Sequence, residues 1–265
     1  MQINLMQGIM LSILAFIAAW DKRWESFFLF RPISVGFFAG IILGDVRTGL
    51  TAGAIAELSY LGLLTIGGTV PPDPLMAGLM TVVIAIRSGV NAETALGLSL
   101  PFALLMQWFI IAEQSIASLI NAQIENALRN NDLKRFKRLV FVPDTVMTLG
   151  YAVITFLATY VMQDAISSFV QSFPGWLTSG FELAGGLLPA VGLGLLLTVM
   201  ANRENWPFLV IGFIAMTVLN VENVLPIALV AAAVAYLICL NDKKQDELEE
   251  KMQNAEFGGS ENDGI

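Results

Sequence analysis

The 265 residues include no histidine, one cysteine (Cys239) and only 14% charged side chains. Without histidine the chain lacks the commonest metal ligand and general base, and it cannot itself carry a phosphohistidine. One cysteine excludes an internal disulfide and a cysteine cage for a metal. Soluble domains carry about 25% charged residues, so this chain has too little polar surface to clothe a water-soluble globule. Walker A, GxGxxG, HExxH and CxxC patterns are all missing, which leaves ATP coupling, metal chemistry and a resident cofactor without support.

What remains is apolar: 56% hydrophobic residues and a mean hydropathy of +0.71. The net charge of −8 is concentrated in the tail, where residues 241–265 hold eight acids against three bases, so the body is nearly neutral. Apolar runs at about 3–19, 27–44, 48–66, 74–86, 94–112, 145–162, 183–201, 206–219 and 224–240 predict an all-α polytopic membrane protein. A full crossing needs about 20 residues, and several of the runs reach that. Residues 33–44, 74–86 and 206–219 are too short, and re-entrant or broken half-helices are expected there. The first run has no basic segment before it, and Trp20-Asp21-Lys22-Arg23 is no cleavage site, so it is expected to remain as a membrane helix.

Between residues 113 and 138, apolar residues recur at helical spacing, which predicts an amphipathic cytosolic helix. Arg129, Lys134, Arg135, Lys137 and Arg138 place that segment in the cytoplasm by the positive-inside bias, and Lys243 with Lys244 place the C-terminus there too. Residues 1–240 then form one membrane domain, and the charged tail 241–265 is expected to be disordered. Residues 61–79 and 211–229 echo one another: an apolar run, a polar Pro-containing knot, then a second apolar run. Paired interruptions of this kind point to an inverted repeat and to a binding site.

Polar residues at membrane depth are the functional candidates. Glu57 lies inside the run 48–66; a carboxylate at the bilayer centre costs about 2.5–3.5 kcal/mol, so it must face protein, water or a ligand. It serves either a solute or a neighbouring helix. Gly67, Gly68, Pro71, Pro72, Asp73 and Pro74 break the next run and free backbone groups. Such a knot suits a sugar, whose hydroxyls a carboxylate accepts; an ordinary turn accounts for it equally well. Asn220, Glu222 and Asn223 line the same cavity or cap the helix from Val224. Asp144 and Glu182 read as first-turn acids, Asp45 as a boundary between two helices, and Arg31 as a helix-start cation. The five tryptophans read as interfacial anchors.

The stretch Gly40 to Glu57, GIILGDVRTGLTAGAIAE, resembles the signature of the membrane IIC subunit of the mannose/fructose/sorbose phosphotransferase family. Gly40, Gly44, Asp45, Gly49, Gly53 and Glu57 carry the match, while Ala54, Ile55 and Ala56 depart from it. FLFRPI, PPDPLMAGLMT, LPFALLMQ, FELAGGLLPAVGLGLLL and the terminal NDGI resemble the N-acetylgalactosamine/galactosamine branch. The resemblance implies a bacterial inner-membrane permease subunit paired with a IID subunit in a trimer of heterodimers. It further implies elevator-like movement of a core against a scaffold, and phosphorylation of the sugar by IIB, itself charged from IIA. On that pattern Glu57 and the segment Thr65 to Asp73 fall in the sugar-binding core: Glu57 and Asp73 accept sugar hydroxyls, Thr65, Gly67 and Gly68 shape the pocket, and Asn220 and Glu222 contribute to it. The competing reading is a cation-coupled secondary transporter with Glu57 as ion carrier.

Overall fold

A computed structural model describes residues 2–63, 70–202, 205–219 and 224–259. The chain divides into two compact units, Met1–Val199 and Met200–Ile265. Among the described residues every regular element is helical. Among these residues, five helices are long and apolar enough to cross a membrane, and shorter apolar helices lie between them.

α1 (Leu5–Trp24) opens with a reciprocal cap, in which the Asn4 side chain accepts from the Gln7 amide and the Gln7 side chain accepts from that of Asn4. At its far end Asp21, 6% exposed, accepts from the amides of Phe27 (2.8 Å) and Leu29 (2.7 Å). Phe28 is held at a φ of 56°, and Pro32 then starts α2 (Pro32–Leu43). The apolar run from residue 27 therefore becomes helix only at Pro32, because its first turns are spent reversing the chain.

α2 and α3 (Val46–Tyr60) form a hairpin that starts and finishes at the same end of the unit. Gly44 caps α2 at φ 84°, a conformation that costs a side-chain-bearing residue about 1–2 kcal/mol. Asp45 starts α3 by accepting from the Thr48 amide (3.0 Å) and hydroxyl (2.6 Å). These bonds hold its carboxyl below the usual carboxylate range. The helices touch backbone to backbone: a Cβ on Gly36 would lie 2.6 Å from the Gly49 carbonyl oxygen, and one on Gly49 2.6 Å from that of Gly36.

α4 (Pro74–Ser88) is buried from Leu75 through Ala85 and packs on α1, α2, α3 and α5 (Ala92–Ser118). Its 15 residues span about 22 Å, short of a ~30 Å hydrocarbon core, and protein on all sides makes that tolerable. The Thr81 hydroxyl, 2.7 Å from the Ala77 carbonyl and 3.0 Å from the Ser99 hydroxyl, joins it to α5.

The single amphipathic helix anticipated over 113–138 is replaced by three pieces. α5 continues to Ser118, α6 covers Asn121–Arg129, and the basic residues open α7 (Leu133–Phe156). The break has a local cause: Asn131 adopts a φ of 53° and Asp132 caps α7 through the Arg135 amide (3.0 Å). α7 ends in a π-helical turn, Leu157–Val161, followed by α8 (Gln163–Gln171) and α9 (Gly175–Met200). Asp144 and Glu182 are thus inside helices rather than at their starts. Each has a partner: Arg23 donates to Asp144 (2.8 Å) and the Asn91 amide to Glu182 (2.7 Å).

The second unit holds α10 (Trp206–Leu219) and α11 (Leu225–Gly259). α11 continues through the charged tail, so the segment whose composition favours disorder is helical as far as Gly259. Its Glu, Lys, Gln, Leu and Met are strong helix formers, and the apolar half supplies the nucleus.

Candidate functional site

The hairpin register fixes the first polar pair. Steps of four residues outward from the Gly44–Asp45 corner set Gly40 against Gly49, Gly36 against Gly53, and Pro32 against Glu57. Arg31, just before Pro32, forms an ion pair with Glu57, whose side chain is 14% exposed and also receives the Ile33 amide at 3.4 Å. Three residues further on, Tyr60 is 6% exposed. Its buried hydroxyl has no hydrogen-bond partner among the described residues, and it lies near enough to Asp73 for the two to interact electrostatically. A buried phenol hydroxyl without a partner costs about 1–3 kcal/mol, which makes Tyr60 a candidate polar contact.

Residues 64–69 follow, and with them Thr65, Gly67 and Gly68 lie outside the described residues, as do Asn220 and Glu222 and hence the second knot of the echo. Both flanks of the 64–69 segment are fixed. Beyond it, the Gln107 side-chain amide donates to the Val70 carbonyl, and the Asp73 amide donates to the Ala103 carbonyl (3.2 Å), so α5 grips the chain at two points one turn apart.

Asp73 itself is fully engaged. One carboxylate oxygen accepts from the Met76 amide (2.8 Å), capping α4. The other meets the Lys22 ammonium and the Tyr151 hydroxyl (2.8 Å), and the side chain is wholly buried. Lys22 also lies 3.1 Å from the Tyr151 oxygen. The knot therefore ties α1, α4 and α7 together. Beside it Arg23 bridges Asp144 and Glu113, the latter at 3.4 Å. Asp73 thus fixes the start of α4, while Glu57 and Tyr60 lie on the last turns of α3. Cavities of about 400, 420 and 820 Å³ occur in this unit, and none of these three is lined by Glu57 or Asp73. Among the described residues no acidic or cysteine cluster could hold a metal ion.

The sequence pointed to Glu57 and Asp73 but not to Tyr60, Lys22 or Tyr151, whose partners are distant in the chain. The Arg31–Glu57 pair did have a signal: the four-residue glycine ladder read as an antiparallel register.

The sorbose-specific IIC component of the phosphotransferase system, as a family model, matches residues 5–237. The chain belongs to this family. It is 45% identical to the N-acetylgalactosamine permease IIC component 1 of Escherichia coli over 93% of this chain and 92% of that one. It is 26% identical to the sorbose-specific EIIC component of Klebsiella pneumoniae over 81% of each. Two solved structures share its fold, each covering 89% of this chain and 96% of the other. One, described only as a membrane protein, has a TM-score of 0.79 at 22% identity; the other, a mannose transporter in complex with a microcin, has 0.57 at 24%. The chain is accordingly a multi-pass membrane protein of a sugar permease family, and a IIC component works with IIA, IIB and IID partners. In family terms, the Gly40-to-Glu57 signature is the hairpin: its glycines set the helix contact and its two acids mark the start and the polar end of α3.

Proposed function

We propose that this IIC component binds and translocates a hexose or amino sugar, with N-acetylgalactosamine or galactosamine favoured, and delivers it for phosphorylation by IIB. The likeness to the N-acetylgalactosamine permease over nearly the whole chain supports the choice of sugar. The observations that carry the site are the largely buried Glu57 carboxylate, paired with Arg31, and, three residues further along α3, a buried Tyr60 hydroxyl with no partner among the described residues. A carboxylate and a phenol complement vicinal sugar hydroxyls, and the resemblance adds Thr65, Gly67 and Gly68 to the sugar site. Asp73 acts by capping α4 and tying it to α1 and α7. Sugar crosses by movement of a core that includes the α2–α3 hairpin and α4, in a trimer of IIC–IID heterodimers. The end of the first unit bearing Lys22, Arg23, Arg31 and the α7 cations faces the cytoplasm, as does the C-terminus.

Radiolabelled sugar uptake and binding by the complex with its IID partner tests this reading. Glu57→Gln and Tyr60→Phe are each expected to abolish tight binding while the complex assembles. The exchanged pair Arg31→Glu with Glu57→Arg is expected to restore the hairpin but not the sugar. Uptake at wild-type level in the exchanged pair would make Glu57 a counter-ion and nothing more. Uptake that needs an ion gradient rather than a phosphoryl donor would favour the coupled transporter instead.

A further inference from the structure

The cations that open α7 lie outside the proposed sugar site. Lys134, Lys137 and Arg138 are exposed, and none of them forms an ion pair among the described residues. Their spacing puts them on one face of α7 with Phe141 and Thr145, because positions three, four and seven apart share a helix face. Phe141 and Thr145 line the 820 Å³ groove, together with Trp20, Trp24 and Phe27. Trp24 and Phe141 meet across it at a ring-centre distance of 6.2 Å. From Lys134 to Phe141 is about 10 Å along the axis, more than the ~5–7 Å headgroup layer on each side of the bilayer, so cations at phosphate level leave Phe141 beside acyl chains.

We infer that this face is a binding site for an anionic phospholipid, its phosphate held by Lys134, Lys137 and Arg138 and an acyl chain lying in the groove between α1 and α7. Charge and depth select this occupant. An acidic protein surface would satisfy the cations but leave the aromatic groove empty, and a zwitterionic lipid would fill the groove but leave the stripe uncompensated. Tryptophans at such a boundary sit at headgroup level, with the apolar wall below them. Clustered basic residues next to a membrane helix draw anionic lipid, roughly fivefold per charge.

The test uses the purified complex with its IID partner and phospholipids carrying brominated acyl chains, which quench nearby tryptophan fluorescence. Brominated phosphatidylglycerol is expected to quench at a lower lipid fraction than brominated phosphatidylcholine. Trp20→Phe with Trp24→Phe should remove that difference. Lys134→Gln, Lys137→Gln and Arg138→Gln should each weaken the phosphatidylglycerol preference about fivefold, and Phe141→Ala should weaken quenching by both lipids. Equal quenching by the two lipids overturns the inference. So does an unchanged preference in the triple Gln variant, and if that variant also loses phosphoryl-dependent uptake, the stripe docks an acidic protein.

Discussion

Replacing Lys22 by Met isolates what the Lys22–Asp73–Tyr151 knot contributes. The Asp73 side chain has no exposure, and Lys22 retains 25%, so the substitution leaves a carboxylate in the protein interior with only the Tyr151 hydroxyl and the Met76 amide. Removing one partner of a buried pair costs about 3–5 kcal/mol. Tyr151→Phe deletes one hydrogen bond to a charged acceptor, about 1.5–3 kcal/mol, and should sit at the low end because Lys22 remains. Asp73→Asn should fall between them, since the orphaned ammonium can still turn toward solvent. The double variant Lys22→Met with Asp73→Asn removes both charges and is expected to be more stable than Lys22→Met alone; contacting residues couple by about 0.5–3 kcal/mol. Thermal unfolding of the detergent-solubilised complex, followed by circular dichroism, reads the order. If all three single variants unfold with the wild type and only sugar uptake falls, the knot is not holding α1, α4 and α7 together. Asp73 would then be a sugar ligand.

The hairpin and the packing make sharper local predictions. Gly49→Ala places a methyl 2.6 Å from the Gly36 carbonyl and should cost about 1–3 kcal/mol by overpacking, seen as reduced recovery of assembled complex. Gly44→Ala meets no atom within 4 Å, yet its φ of 84° should still cost about 1–2 kcal/mol, so the two variants separate steric from conformational need in the same melting assay. Thr81→Val should cost no more than about 1 kcal/mol in that assay, because the Ser99 hydroxyl keeps the Leu96 carbonyl (2.7 Å) as its acceptor. Gln163 pairs with both the amide (2.9 Å) and the carbonyl (3.0 Å) of Ile3, so Gln163→Leu should speed hydrogen exchange at Ile3 without moving the melting midpoint.

Hydropathy carried the fold far because a membrane leaves few choices. The runs 74–86 and 206–219 appear as α4 and α10 with nearly the expected limits. It failed where polar residues continue a helix. α7 begins at Leu133 and α9 at Gly175, well before the apolar runs at 145 and 183, because apolarity alone misses helical turns that carry exposed cations, as in α7, or acids paired with distant side chains. Asp144 is the instance: read alone it looks like a helix-start acid, and only Arg23, 121 residues earlier, lets it sit mid-helix.

The same division runs through the candidate site. Asp73 was legible as a constrained acid, since three prolines surround it, but its occupation by Lys22 and Tyr151 was not, because those helices are brought to it only by tertiary packing. Glu57 differs. Its partner follows from local spacing, because a hairpin that repeats glycine every four residues on both arms admits one close-packed antiparallel register, and a slip by a single residue would drive a Cβ into the facing backbone. That register sets Glu57 opposite the start of α2, so Arg31 was the one cation within reach that the sequence itself could supply. The glycines thus do more than permit close approach: by fixing the register they set a charged pair at the open end of the hairpin, one turn before the Tyr60 phenol that ends α3.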